Sequence, residues 1–123
     1  MPGSTRVGVV EYLEAALKAS GFRGKVIANN IANIGTPGFR RKTAEFEKLL
    51  GDAMETRRAK DLADLAPEVR QPGTTPVNEH GSDVDLDTEF GELIKNSVRY
   101  KTYVRLLTRM YRQMDLAMKM GGE

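Results

Sequence analysis

The sequence at residues 26–39 is VIANNIANIGTPGF, and this stretch decides how the first helix of the chain ends. Asn29, Asn30 and Asn33 fall within an apolar spacing typical of a helix, and a glycine and a proline then stop that helix. Asparagine is unfavourable inside helices because its amide competes for backbone hydrogen bonds. We therefore predict that these amides have a defined role. Either they fix the register of a helix–helix contact, or they form a polar helix end beside a turn.

The composition indicates one domain with a thin core. The chain has 123 residues, of which 40% are hydrophobic and 29% are charged, and it has no tryptophan. One domain is the usual expectation at this length. A core this lean leaves apolar surface that other subunits could cover. The net charge of +2 is too small to indicate a nucleic-acid or membrane partner.

The sequence gives no sign of a membrane span, a cleaved signal peptide or a thiolate site. Its apolar runs are shorter than the ~20 residues that a membrane helix needs, and the N-terminus lacks the layout of a signal peptide. There are no cysteines, which excludes disulfides and thiolate metal ligands. We expect no direct membrane insertion and, if the protein is exported, a route without a cleaved signal.

An N-terminal helix is predicted over residues 5–34. Its apolar residues recur at intervals of three and four, the narrow seam of a coiled coil. These residues are Val10, Leu13, Leu17, Ile27, Ile31 and Ile34. Gly21 and Gly24 each cost roughly 1 kcal/mol relative to alanine in a helix interior. The helix is therefore predicted to be weak or bent near its middle.

A second long helix is predicted over residues 83–120. Acidic residues mark its start and basic residues its later turns, as suits the helix dipole. Its seam comprises Phe90, Leu93, Ser97, Tyr100, Val104, Leu107, Tyr111, Met114 and Met118. Between the two long helices we predict a turn and short helix over residues 35–58. A long irregular connection, rich in proline and glycine, follows over residues 59–82.

These segments predict an all-α fold and a single domain over residues 1–123. The two long terminal helices would pack as an antiparallel coiled-coil hairpin. The short helix and the irregular connection would lie between them in sequence, and the outer helix faces would remain available to neighbours.

Catalysis, cofactor binding and metal binding are not indicated. The single histidine, His80, lies in a polar connection and cannot complete a metal site alone. The acidic residues near Asp85 lack the spacing of a calcium loop and suit a helix start better. The basic cluster at residues 40–42 could contact phosphate, but nearby acidic residues favour an ordinary solvated face. The sequence therefore predicts a protein that is not an enzyme.

Two motifs resemble those of bacterial flagellar axial proteins, the rod and hook family. Residues 28–39 are similar to the family signature ANNIANxxTPGF/Y. Residues 83–87 are similar to NxVDLExE, which begins the C-terminal helix in that family. Residues 96–107 resemble the proximal rod members most closely. Hook and distal rod proteins carry an inserted domain between the helices, and this chain has room only for a loop.

The resemblance implies a structural protein of the flagellar basal body, exported by the flagellar type III system without a cleaved signal. It also implies assembly into a periplasm-spanning helical tube that transmits torque. The implied partners are further copies, other rod proteins, the rod-base adaptor and the export gate. The resemblance transfers an interface or family role to these positions: Ala28, Asn29, Asn30, Ile31, Ala32, Asn33, Thr36, Pro37, Gly38, Phe39, Val84, Asp85, Leu86, Tyr100 and Leu107.

Phe46 and Leu50 match the FxxxΦ element that the export gate recognises in this class, although an apolar helix face that packs would look the same. We further expect folding to be coupled to assembly, with Asn30 and Asn33 contacting neighbouring subunits. One alternative is a helical adaptor or export chaperone that does not polymerise. A nucleic-acid binder is a third possibility, and it would show affinity that falls steeply with salt.

Overall fold

The computed structural model describes residues 8–56 and 58–121, and most of them are helical. In chain order the elements are α1 (Val9–Ala32), β1 (Thr43–Glu45), α2 (Glu47–Thr56), α3 (Ala59–Ala63), β2 (Glu68–Arg70) and α4 (Leu86–Gly121). The predicted start of the first helix at residues 5–7 lies outside the described residues. None of the described helices is both long and apolar enough to cross a membrane.

Helices α1 and α4 form the predicted antiparallel hairpin. Asn30 of α1 contacts Glu89 near the start of α4, and Ser20 contacts Asn96 about two turns further along α4. Because the residue numbers in α1 decrease from one contact to the next while those in α4 increase, the two helices run in opposite directions. The all-α hairpin is confirmed.

The middle of α1 differs from the prediction, because the helix continues unbroken through Gly21 and Gly24. Both glycines face α4. A β-carbon on Gly24 would lie 3.4 Å from the amide nitrogen of Asn96, and one on Gly21 would lie 3.8 Å from the ring of Tyr100. Both glycines therefore lie in the contact with α4, and packing between the two helices offsets their low helix propensity.

At its start, the face of α4 that packs on α1 is shifted by one residue from the predicted seam, whereas further along the predicted positions Tyr100, Leu107 and Tyr111 do lie on this face. Glu89, Asn96 and Leu107 are buried, whereas Phe90 and Met118 are 46% and 72% exposed. The prediction placed apolar residues inward. Two polar side chains occupy the inward face instead, because α1 provides hydrogen-bond partners for both.

The connection over residues 59–82 is more ordered than predicted, since it contains α3 and β2. Strand β2 pairs antiparallel with β1, with Ala44 opposite Val69. Helix α3 places Leu62 in the core. Both elements are short, so neither gives a periodic signal in the sequence.

The main apolar core lies on the side of α1 that faces α2 and α3. Small residues on α1, Ala16 and Ala19, allow α2 to pack closely. The core cluster comprises Ala16, Ala19, Phe46, Leu50, Ala53 and Leu62. This core is small for a chain of this length, as the lean composition predicts.

Candidate subunit-assembly site

Asn30 is the centre of the first sequence motif, and its amide is fully buried. Its Oδ1 accepts a hydrogen bond from the backbone N–H of Lys42 at 2.9 Å, and its Nδ2 donates to the Lys42 carbonyl at 2.7 Å. The same Nδ2 also donates to Oε1 of Glu89 at 3.0 Å. Asn30 thus joins three parts of the chain: the end of α1, the segment before β1, and the start of α4.

A buried ion pair extends this contact. Nε of Arg41 donates to Oε2 of Glu89 at 2.6 Å, and the Glu89 side chain is fully buried. The backbone N–H of Arg41 donates to Oδ1 of the buried Asp83. Among the described residues, the second carboxylate oxygen of Asp83 has no partner. We refer to Asn30, Arg41, Asp83 and Glu89 as the polar lock.

The turn after α1 rests on the segment that leads into α4. The backbone N–H of Gly38 donates to the carbonyl of His80 at 3.0 Å. The Asn78 amide donates to the Ile34 carbonyl at 3.3 Å. Gly38 and Gly81 have φ angles of 74° and 77°, and a β-carbon on Gly81 would lie 3.5 Å from the Gly38 nitrogen. Glycine is therefore favoured at Gly81 by its left-handed backbone conformation, whereas a β-carbon there would make only an ordinary van der Waals contact.

The amides of Asn30 and Asn33 form hydrogen bonds within the subunit, and a role of both residues in contacts between subunits stays a prediction. Nδ2 of Asn33 donates to the Asn29 carbonyl at 2.8 Å, and Oδ1 of Asn33 accepts from the Thr36 hydroxyl at 3.0 Å. Asn33 is therefore a local helix-end contact, and Asn30 is a helix–helix contact within one subunit. Only the side chain of Asn29 is exposed among the three.

The second motif begins α4. Val84 is buried, and Asp85 occupies the position before the first helical residue, Leu86. Oδ2 of Asp85 accepts from both the backbone N–H and the hydroxyl of Thr88, at 3.0 and 2.6 Å. These hydrogen bonds lower the pKa of Asp85, the hydroxyl contributing most. The acidic helix start predicted from the sequence is thus a helix cap.

The remaining motif positions divide between surface and interior. Ile31 and Phe39 are half-buried. The exposed positions are Ala28, Ala32, Thr36, Pro37, Gly38 and Leu86. Tyr100 and Leu107 lie further along α4, away from the polar lock, where Leu107 is buried and Tyr100 is 41% exposed.

Phe46 and Leu50 are buried in the core, with 1% and 3% exposure. Arg23 of α1 covers Phe46, with its guanidinium carbon 4.3 Å from the ring centroid. It also donates to the Ala44 carbonyl at 2.9 Å and to Glu47 at 2.7 Å. The role of Arg23 was not predicted from the sequence. The one signal that the sequence offers is a charged residue among apolar helix positions.

Partial burial alone would raise the pKa of Glu47, but that pKa is lowered overall. The hydrogen bond and the positive charge of Arg23 outweigh burial, together with backbone N–H groups at the start of α2. Glu47 therefore remains a carboxylate that links α1 to α2.

The fold and the site define a class of protein: a two-helix hairpin closed at one end by a buried polar lock that both sequence motifs build. A model of the family described as "Flagella basal body rod protein" matches residues 13–40. This match includes the first motif and ends next to Arg41.

Curated relatives extend the similarity to nearly the whole chain. The chain is 31% identical to flagellar basal body rod protein FlgB of Bacillus subtilis, covering 93% of this chain and 95% of the relative. It is 26% identical to the FlgB proteins of Borrelia hermsii and Yersinia enterocolitica, over 89% and 93% of this chain and 95% and 96% of those relatives. The chain belongs to the flagellar basal body rod protein family.

Proposed function

We propose that this protein is a structural subunit of the proximal rod of the bacterial flagellar basal body. In this proposal it assembles with further copies and other rod proteins into a helical tube that spans the periplasm and transmits torque. The rod-base adaptor and the export gate would be its other neighbours. The relatives named above support this proposal, because they are named basal body rod proteins and the similarity covers almost their full length.

The observation that carries the proposal is the uncovered surface of α4. Most large apolar side chains that remain exposed in the described part of the chain lie on this helix, including Ile94 at 64% and Leu116 at 58%. A monomeric protein seldom leaves a long apolar helix face in water, whereas a subunit of an assembly covers it with neighbours. The polar lock would present that face in a fixed orientation.

Export before folding fits the burial of Phe46 and Leu50. If the export gate recognises this pair, it can do so only in an unfolded chain, because both side chains are inaccessible in the folded subunit. Export through the type III system without a cleaved signal would then precede formation of the core. Replacing Leu50 with alanine tests recognition by the export gate. The measurement is the amount of chain exported, taken in a strain where export does not depend on folding of the chain.

Folding is proposed to be coupled to assembly, because the core cluster is small and α4 is largely uncovered. Circular dichroism of dilute protein tests this point. We expect incomplete helicity and a broad thermal transition, since ordering would use much of the contact energy that assembly supplies. A fully helical monomer with a sharp transition would contradict the coupling.

Electron microscopy of basal bodies purified with and without this protein tests the assignment itself. We expect rods to be absent when the gene is deleted and to return when it is restored. If the protein were instead a chaperone or an adaptor, basal bodies purified from wild-type cells would contain complete rods but not this protein. Immunogold labelling of a tagged chain distinguishes these outcomes.

A further inference from the structure

The outward faces of α1 and α4, which point away from the rest of the subunit, differ in chemistry. The outward face of α4 begins with Phe90, Ile94 and Val98, spaced four residues apart and 46%, 64% and 60% exposed. It continues with the exposed bases Lys101, Arg105, Arg109 and Arg112. Residues four apart share one side of a helix, so an apolar half is followed by a basic half.

The outward face of α1 carries a matching pattern in reverse. Glu11 is exposed near its start, and Phe22, which is 40% exposed, lies further along. Glu14 is also exposed, but it accepts a hydrogen bond from the Tyr111 hydroxyl of the same chain and therefore lies at the edge that faces α4. Phe22 follows Glu11 by 11 residues, and Arg109 follows Val98 by 11 residues. Eleven residues make just over three full turns, about 16 Å along a helix, and return to the same face.

An antiparallel pairing of these two faces therefore places acid opposite base and apolar opposite apolar at once. With Phe22 against Val98, Glu11 lies against Arg109. Among the described residues, no carboxylate lies within ion-pair distance of these arginines. The basic half of α4 thus lacks an intramolecular counter-charge there.

We propose that the outward face of α4 binds the outward face of α1 on a second copy of this chain, with the two helices antiparallel. This inference rests on the proposed function and names the surface through which copies would meet. Because α1 and α4 are already antiparallel within each subunit, the hairpins would lie side by side and point the same way. Such a contact joins two different surfaces, so it can repeat into a ring or a helical tube.

The pairing makes two unfavourable contacts. In this register Lys18 lies near Lys101 on the neighbouring copy and Lys25 lies near Lys95, and like charges in contact weaken an interface. Lys101→Glu should therefore increase association. If Lys101 served only solubility or folding, this substitution would not increase association between copies of the chain.

Disulfide cross-linking tests the pairing directly, because the chain has no cysteine of its own. The variant Phe22→Cys/Val98→Cys should give a ladder of dimers, trimers and larger species on oxidation at high protein concentration. Each single variant should give little product. The pair Phe22→Cys/Arg99→Cys is a matched control, since Arg99 is exposed and adjacent to Val98 in sequence but turned by about 100° round α4.

Charge exchange provides a second measurement. Glu11→Lys in the double-cysteine background should lower the cross-linking yield about threefold, the usual scale of one exposed ion pair. Adding Arg109→Glu should restore it. Rescue separates the intermolecular contact from the hydrogen bond that Glu11 accepts from the backbone of Gly8, because Arg109→Glu cannot replace that bond.

Two outcomes would overturn the pairing. One is efficient dimerisation of Val98→Cys alone, which would indicate that α4 pairs with α4. The other is equal ladders from the test and control pairs.

The pairing and the proposed function can fail separately. If the wild-type chain is found in basal bodies but the double-cysteine variant gives no ladder, the pairing is wrong and the proposed function stands. If the purified protein gives the ladder but is absent from basal bodies, the proposed function is wrong and the pairing stands. A second pair, Lys25→Cys/Ile94→Cys, repeats the test if one variant folds poorly.

Discussion

Asn30 and Glu89 are separated by 59 residues, and their side chains meet in the buried contact between α1 and α4 at 3.0 Å. Asn30 belongs to the first sequence motif, and Glu89 lies two residues after the end of the second. Their contact therefore fixes the end of one motif helix against the start of the other. It also explains why a helix tolerates an asparagine at a position that packing would otherwise assign to an apolar residue.

Replacing Asn30 with alanine should destabilise the subunit by about 2–3 kcal/mol. The change leaves the Lys42 backbone and a Glu89 oxygen without their partner, and each unsatisfied buried group costs about 1–3 kcal/mol. Asn33→Ala is the matched control, because its bonds are local and exposed. Urea unfolding monitored by circular dichroism measures both. Equal losses would contradict the distinction between a helix–helix contact and a local cap.

The ion pair of the polar lock predicts a non-additive double mutant. Arg41→Met should cost about 3–5 kcal/mol, because it leaves Glu89 buried without its counter-charge. Arg41→Met/Glu89→Met should recover much of that loss, since no unpaired charge remains at this pair. A thermodynamic cycle from denaturant melts measures the coupling. Additive losses would show that the two side chains act independently.

The sequence predicted the hairpin, both long helices and the importance of the asparagines, because periodicity and helix-stop signals are local. It did not predict the partners of Asn30, since Lys42 and Glu89 come together only in the folded chain. The one-residue shift at the start of α4 was not predicted, for a related reason. A rule that buries apolar residues cannot anticipate that Glu89 and Asn96 are inward because α1 offers them hydrogen bonds.

Glycine at position 81 should be essential for joining the two motif segments. Gly81→Ala should destabilise the protein by roughly 1–2 kcal/mol, because its φ of 77° is left-handed. Gly51→Ala is the control: Gly51 lies inside α2, a β-carbon there meets nothing within 4 Å, and alanine should stabilise by up to about 1 kcal/mol. Thermal melts compare them. A neutral Gly81→Ala would mean that the turn tolerates another conformation.

The cap of α4 predicts a loss of stability in acid. The pKa of Asp85 is lowered in the folded protein by the hydroxyl and the backbone N–H of Thr88. A lowered pKa means that the contribution to stability is complete above the ordinary carboxyl value of 3.8 and disappears as the pH falls through the folded value below it. Melting temperatures of wild type and Asp85→Asn between neutral pH and pH 3 should therefore converge in acid, because asparagine also caps helices but does not titrate. A constant difference across this range would assign the effect to another group.

Removing residues 115–123 should separate assembly from folding. The described residues of this segment, 115–121, are all exposed and lie beyond the core cluster, so the truncated chain should unfold at nearly the same urea concentration as the full chain. Incorporation into basal bodies should nevertheless be lost, because the deletion removes Leu116, Met118 and Met120, whose apolar side chains are available to neighbours. Motility in soft agar and immunoblots of purified basal bodies provide the readouts, and Met118→Ala serves as a milder variant of the same surface. Motile cells whose basal bodies contain the truncated chain would show that assembly does not need this end of α4.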